Sequence, residues 1–362
     1  MRYKVALIGL GKRGRIHLQG LLQNPERFEL SGIYDVNPET VRAVQKDFGL
    51  SCGYDDPETL MEQSGAEVLC FVTHPNVRKR YIELGIKYHV RGISLEKPMA
   101  LTLQEANEML SLCDSHQIKT VVCHQHKYLT QFEKMQSILH SGQIGEVQEI
   151  RVFTTPWTAQ LGTHYMDYAL TLTPPGEADW AIGHVHGRKK LSDGHPSPDY
   201  LFGKVHMKNG IELLFENGYL SRSRMEESLF WFDNRISVFG TEGYVWADTA
   251  DRCTVCSKAT GGSAETYRYP FFVDQEIEMQ RKFYKDYAQW LDDDQKTHPC
   301  QLKQAYHGFE ILEGICRSAL DNIRVDFPLD VTSDALTRLH AELPDVSYPD
   351  ALLQKAFFQI NT

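Results

Sequence analysis

The apolar positions of this 362-residue chain fall into two regimes. Over the first third, short apolar runs alternate with segments whose apolar residues recur every three or four positions. The runs Tyr3–Ile8, Leu30–Tyr34, Glu67–Val72, Gly92–Leu95 and Thr120–Cys123 read as strands, and the segments between them as amphipathic helices. Two of these helices have readable ends. Asn37-Pro38-Glu39 supplies an N-cap followed by proline at the first helical position, and Gly49 closes that helix. Thr102 and Glu105 have the spacing of a capping box ahead of Ala106, Met109, Leu110 and Cys113, which share one face. Strand alternating with helix implies right-handed crossovers and a doubly wound parallel sheet, an α/β domain.

After about residue 124 the pattern changes. A helix is predicted over Phe132–His140, then a turn at Ser141-Gly142-Gln143-Ile144-Gly145. Strands follow in succession at Glu149–Thr154, Trp180–His186, Leu201–Met207, Ile211–Glu216, Arg235–Phe239 and Tyr244–Ala247. Turn signals at Lys208-Asn209-Gly210 and Gly240-Thr241-Glu242-Gly243 separate several of them. Clustered strands imply an antiparallel or mixed sheet, so this part is of the α+β class. Two later helices are predicted from the stripes Met279, Phe283, Tyr287, Trp290 and Leu302, Ala305, Phe309, Leu312, Cys316. At about 150 residues per domain, two domains are expected. We place them at 1–124 and 125–340, with a weakly patterned tail at 341–362.

Composition narrows the class. Hydrophobic residues at 42% and charged residues at 24% are ordinary for a globular protein, and a net charge of -10 speaks against nucleic acid or an anionic membrane as partner. No apolar run approaches the roughly 18 residues that span a bilayer, and the first residues lack the pattern of a signal peptide. Eight cysteines without a disulfide-framework spacing fit a reducing compartment, so a cytoplasmic location is expected.

Chemistry enters at Gly9-Leu10-Gly11-Lys12-Arg13-Gly14, which directly follows the first predicted strand and opens a helical pattern. In that setting the first glycine permits a tight turn, the second lets backbone approach a pyrophosphate, and the third lets helix and strand pack closely. The helix-start amides of Lys12, Arg13 and Gly14 then face the phosphates. An acid is expected about 20 residues on, at the end of the second strand, and Asp35 is there. Its carboxylate would accept the ribose hydroxyls and repel a 2′-phosphate, which favours NAD over NADP as the cofactor.

The fourth predicted strand ends in Glu96-Lys97-Pro98. With the glycine turn, this signature resembles the glucose–fructose oxidoreductase / inositol dehydrogenase family (Gfo/Idh/MocA). So do Ser141–Val147, Gly162-Thr163-His164-Tyr165-Met166-Asp167 and the Gly240–Gly243 turn. The resemblance runs over nearly the whole chain. It implies an N-terminal Rossmann domain, a C-terminal domain with a large open, mostly antiparallel sheet, and hydride transfer at a secondary alcohol of a sugar, cyclitol or polyol. Some members of the family instead process glycosides through transient oxidation of the sugar. The resemblance further implies Lys97 and His164 as the acid–base pair, with Pro98 following a cis peptide bond. Thr73, Pro75 and Asn76 would border the adenosine side, and Glu96 with Lys97 the nicotinamide side. Three departures from the family's pattern stand out. Gln160 replaces an aspartate four residues before His164, Thr73-His74-Pro75-Asn76 leads to Val77-Arg78 where a histidine is usual, and Lys127 replaces the arginine before Tyr128.

Lys97 can be argued without the family. Oxidising an alcohol needs a base for the hydroxyl proton, and a lysine whose pKa is pulled down by burial can supply it. For the substrate, Tyr128, Trp157, Gln160, His164 and His186 are the candidates. Trp157 would stack on a sugar ring or pack in a core. His184, His186 and His195 lie in a polar stretch whose spacing is no recognised metal motif, so no metal is assigned. Arg222 and Arg224 are surface charges or contacts for an acidic group, and Cys253-Thr254-Val255-Cys256 reads as two ordinary thiols on opposite faces of a strand. The expected partners are a small carbohydrate or polyol and further copies of the chain, as a homodimer or homotetramer. A protein that binds the nucleotide without turnover is the alternative from outside the enzymes.

Overall fold

The computed structural model describes residues 1–221, 231–332 and 334–345. Arg222, Arg224 and residues 346–362 of the expected tail lie outside the described residues. The chain forms two compact units. The first holds Met1–Leu101, Glu105–Tyr128 and Asp274–Tyr306; the second holds Thr102–Gln104, Leu129–Val273 and the chain from His307 onward.

Unit one is built on the strands β1 (Tyr3–Ile8), β2 (Phe28–Tyr34), β3 (Val68–Phe71), β4 (Gly92–Leu95) and β5 (Lys119–Val122). The intervening helices are α1 (Lys12–Leu22), α2 (Pro38–Phe48), α3 (Pro57–Ser64), α4 (Arg78–Lys87) and α5 (Leu103–Ser115). The strands pair in the order β2-β1-β3-β4-β5, all parallel. Every residue of β3 and β4 is buried, which is why they read as continuous apolar runs without alternation. The ends of α2 form as the sequence predicts: the Asn37 side chain accepts the Glu39 N–H at 3.0 Å, and Gly49 closes the helix at φ 67°. Chain order reverses at β1, so the loops after β1 and β3 flank a crevice of the kind where doubly wound sheets bind ligands.

Unit two carries α6 (Thr130–His140), β6 (Val147–Thr154), α7 (Thr163–Thr171), β7 (Ala178–His186), β8 (Tyr200–Met207), β9 (Glu212–Asn217), β10 (Asn234–Gly240), β11 (Gly243–Asp248), β12 (Arg252–Ser257) and β13 (Ala264–Arg268). With a late two-residue strand, β14 (Val325–Asp326), they form a nine-stranded sheet in the order β13-β12-β11-β10-β6-β9-β8-β7-β14. Its pairings are antiparallel except β6 with β9. Two of the sequence turns lock together at one end of this sheet. Glu242 and Thr241 donate their N–H groups to the carbonyls of Ile144 and Glu146, and a Cβ on Gly145 would lie 2.2 Å from the Thr241 hydroxyl. Cys253 is buried and Cys256 partly exposed, on opposite faces of β12 as its register requires.

The division of the chain corrects a single cut at residue 124. The helix α8 (Phe272–Asp292) runs into unit one, and its predicted stripe explains why. Met279, Phe283, Tyr284, Tyr287 and Ala288 are buried along it. The Tyr287 hydroxyl reaches the carbonyls of Ile93 on β4 and Lys119 on β5, at 3.1 and 2.7 Å. Such a return of the chain adds apolar burial to the sheet's own helices, and only long-range packing reveals it.

Candidate active site

The three glycines of the turn have distinct surroundings. Gly9 has φ 87°, and a Cβ there would lie 2.3 Å from the Val72 carbonyl oxygen at the end of β3. A Cβ on Gly14 would lie 2.0 Å from the Gly9 carbonyl oxygen, so the start of α1 presses directly on the turn. Gly11 is different. A Cβ on it meets nothing within 4 Å, so the space before α1 is open. Among the described residues no side chain caps α1, and its first turn carries no acid. An open concavity before uncapped, partially positive amides fits a diphosphate.

Asp35 lies just past β2 and is bound to this turn. One of its carboxylate oxygens accepts the Leu10 N–H at 2.7 Å and the other the Asn37 N–H at 2.9 Å. Those bonds fix the carboxylate beside the turn, where two ribose hydroxyls can still donate to its remaining lone pairs. Lys12 is exposed. The side chain of Arg13 points elsewhere: it pairs with Glu276 at 2.6 Å and lies 3.5 Å from Glu96, leaving its backbone N–H as its group toward a phosphate.

At the end of β4, Glu96 is buried and Lys97 half-buried, and the Lys97–Pro98 peptide is cis. Burial by itself would raise the Glu96 carboxyl. The hydrogen bond from His17, followed by the charge of Arg13, overcomes this and holds the carboxyl well below its usual range. Lys97 is brought down to about 8, first by loss of water around its ammonium; Arg13 and Arg78 push the same way, and Glu96 opposes them. A lysine so placed exchanges protons near neutrality.

The loop after β3 is held by a residue that stands out in the sequence only as a departure from the family's pattern. Arg78, 1% exposed, donates through Nη2 to the Thr73 carbonyl at 2.7 Å and to the Lys97 carbonyl at 3.2 Å. It thereby joins the Thr73 loop to the lysine. Pro75 is buried at the head of a short turn, Pro75–Val77, and Asn76 is exposed on it. Tyr128 is 7% exposed; its hydroxyl donates to Asp286 at 3.0 Å and lies 3.2 Å from His298, so it is engaged in the packing of unit one.

Three buried groups of this unit, His17, Glu96 and Cys123, bring ligand-type atoms within 4.8 Å of one another. The surroundings disfavour a cation: Arg13 stands beside Glu96, and burial, then Glu96, pushes the Cys123 thiol well up, away from the thiolate a metal needs. His184, His186 and His195 form no comparable group among the described residues.

In unit two, His164 is buried in the first turn of α7. The turn before it, Thr158–Gly162, is fixed by Asn217 at the end of β9, which accepts from Thr158 at 2.5 Å and donates to the Pro156 carbonyl at 2.6 Å. Gln160 lies 3.4 Å from His195. Trp157 is 6% exposed, with the Lys190 ammonium 4.4 Å from its ring centre and Trp231 beside it at 5.3 Å. Its ring is thus packed within its own unit. His186 is half-buried on β7.

The chain is similar to known NAD-binding oxidoreductases. Residues 3–124 match the GFO_IDH_MocA family, described as an oxidoreductase family with an NAD-binding Rossmann fold. Over 297 residues the chain is 22% identical to the myo-inositol 2-dehydrogenase of Thermotoga maritima, covering 78% of this chain and 87% of that one. Among solved structures, an oxidoreductase from Agrobacterium radiobacter in complex with NAD+, L-tartaric acid and magnesium superposes with a TM-score of 0.77 at 18% identity, over 90% of this chain and 98% of that one. The WlbA dehydrogenase of Bordetella pertussis, in complex with NADH and UDP-GlcNAcA, gives 0.71 at 18% identity, over 91% and 100%. The fold is that of an NAD(P)-binding oxidoreductase. The family match covers residues 3–124, so the first domain is the one that groups with the NAD-binding Rossmann domains of the Gfo/Idh/MocA oxidoreductases.

Proposed function

We propose that this protein is an NAD-dependent dehydrogenase acting on a secondary hydroxyl of a sugar, cyclitol or related polyol. The observation that carries the reading is Lys97 at the end of β4, next to an ionised Glu96, with its pKa brought down to about 8. When bound, the nicotinamide supplies the hydride acceptor or donor. The protein's part is to hold the diphosphate on the amides of α1, the ribose on Asp35, and the proton of the reacting hydroxyl on Lys97. In oxidation the neutral Lys97 amine takes the hydroxyl proton; in reduction the ammonium returns it. His164 is proposed as the second acid–base group and Gln160 as a neutral substrate contact.

Gln160 also favours a second reading. It cannot act as a charged partner for a histidine or exchange a proton, which suits a glycoside-processing enzyme with transient oxidation. A panel of free polyols, sugars and nitrophenyl glycosides, run with NAD and NADP, separates the cases. Net NADH from a free sugar or polyol supports the dehydrogenase; nitrophenol release without net NADH supports the second reading. Nucleotide binding without turnover across the panel would leave a binding protein.

Coenzyme choice rests on Asp35. Asp35→Ser keeps one acceptor for the turn and removes the charge that repels a 2′-phosphate. We expect NADPH affinity to rise about tenfold, roughly 1.4 kcal/mol, and NADH affinity to fall severalfold, read by fluorescence titration. For the homo-oligomer, we propose the open face of the nine-stranded sheet, where Arg235 covers the Trp246 ring at 4.1 Å and Arg151 that of Phe239 at 5.0 Å. No helix of the described residues is long and apolar enough to cross a membrane.

A further inference from the structure

Beneath Glu96 lies a buried chain of polar groups that no step above uses. His17, on α1, is fully buried and bonded at both ring nitrogens. Its Nε2 lies 2.9 Å from Oε1 of Glu96, and its Nδ1 lies 2.6 Å from the Tyr284 hydroxyl on α8. The Cys70 sulfur, on β3, is 3.0 Å from the same hydroxyl. These groups come from α1, β3, β4 and α8, all within unit one.

The proton positions in this chain follow from its end. An ionised carboxylate only accepts, so His17 must carry its proton on Nε2 and donate to Glu96. A neutral imidazole protonated there offers Nδ1 as an acceptor, so the Tyr284 hydroxyl donates to it. The Tyr284 oxygen is then left to accept the Cys70 S–H. Every donor points one way, from Cys70 through Tyr284 and His17 to Glu96. A second proton on His17 would require the Tyr284 hydroxyl to turn from donor to acceptor at Nδ1, and burial already pulls the His17 pKa down.

The far side of Glu96 ties this chain to the lysine. Its Oε2 accepts the backbone N–H of Lys97 at 3.2 Å, so a carboxylate gripped by His17 at one oxygen holds the lysine's backbone at the other. Among the described residues, the groups acting on Lys97 include the charges of Glu96, Arg13 and Arg78 and the Cys123 thiol, with the neutral His126 beside them. Glu96 is the one strong anion of that set.

We propose that His17, held in the Nε2–H form by Tyr284, is a positioning residue that keeps Glu96 ionised and oriented, and through it sets the proton affinity of Lys97. The inference rests on the acid–base role proposed for Lys97, and it adds a group without contact to substrate. Taking away the His17 donor leaves a buried carboxylate that picks up a proton more readily. Lys97 then loses its nearby anion and gives up its own proton at lower pH.

Two measurements on the full-length protein test this without any substrate. The first follows Lys97 acetylation by acetic anhydride against pH, read by mass spectrometry of its peptide. In His17→Phe we expect the midpoint to fall by about one pH unit. His17→Gln, whose amide still donates, should restore most of the wild-type value. In the Glu96→Gln background, adding His17→Phe should produce no further change. A midpoint in His17→Phe equal to wild type, or an equal further fall on top of Glu96→Gln, would overturn the proposal. The second measurement needs no variant that might misfold: nitrogen NMR of histidine-labelled wild-type protein should find His17 neutral and protonated on Nε2 throughout pH 5–9. An Nδ1–H ring, or a ring that titrates in this range, would overturn it as well. Because turnover enters neither readout, failure to find a substrate would defeat the proposed activity and leave the role of His17 untouched.

Discussion

Lys97→Met should lower turnover by about three orders of magnitude while changing NADH affinity by no more than about threefold. The side chain keeps its length and loses its charge. Glu96 retains the hydrogen bond from His17 and the nearby Arg13, so no buried anion is stranded and the unit stays folded. With the neutral amine as the proposed base, oxidation by the wild-type protein should rise with pH and level off above about 8, where Lys97 loses its proton. The reverse reaction needs the ammonium and should fall over the same interval. In Lys97→Met the residual rate should lose that inflection. An undiminished rate would remove the lysine from the chemistry; loss of both nucleotide binding and turnover would mean the substitution damaged the fold.

The second large effect separates two glycines of one turn. Gly11→Val should fold as wild type and bind NADH roughly a hundredfold more weakly, because its side chain enters open space in front of α1 and bars a phosphate from the amides. Losing one or two charge-assisted hydrogen bonds, each about 1.5–3 kcal/mol, accounts for that factor. Gly14→Ala should do the opposite first. Its methyl would sit 2.0 Å from the Gly9 carbonyl oxygen, so backbone has to move. We expect destabilisation of about 3 kcal/mol, seen as a lower unfolding midpoint before any ligand is added. Equal melting temperatures for the two variants would contradict this division of roles.

Much of this was legible along the chain because it is local. Asn37, Pro38 and Gly49 carry their helix ends within a dozen residues, and the glycine turn with its acid spans fewer than thirty. Two strands left no clear trace, and a third was read only as the setting of Cys253 and Cys256, for physical reasons. The strand Ala264–Arg268 is at the sheet's edge and largely exposed, so its AETYR sequence carries no apolar alternation. Arg252–Ser257 buries three consecutive residues and also breaks the period of two. Val325–Asp326 is only two residues long.

What the chain does not spell out is non-local. His17 meets Glu96 across 79 residues and Tyr284 across 267, and no pattern around His17 announces either partner. The one available hint is a histidine flanked by Ile16 and Leu18 on a helix that otherwise turns apolar residues inward. Arg78 was visible only as a departure from a family habit, whereas its two backbone acceptors need the loop after β3 and the end of β4 in place together. Residues 274–306 join unit one for the same reason.

The measurement that bears most directly on the whole account is titration of purified wild-type protein with NADH and with NADPH, followed by energy transfer from tryptophan and by calorimetry. Saturable binding, tighter for NADH and largely lost in Gly11→Val, is the predicted result. A folded protein with no affinity for either dinucleotide would contradict it.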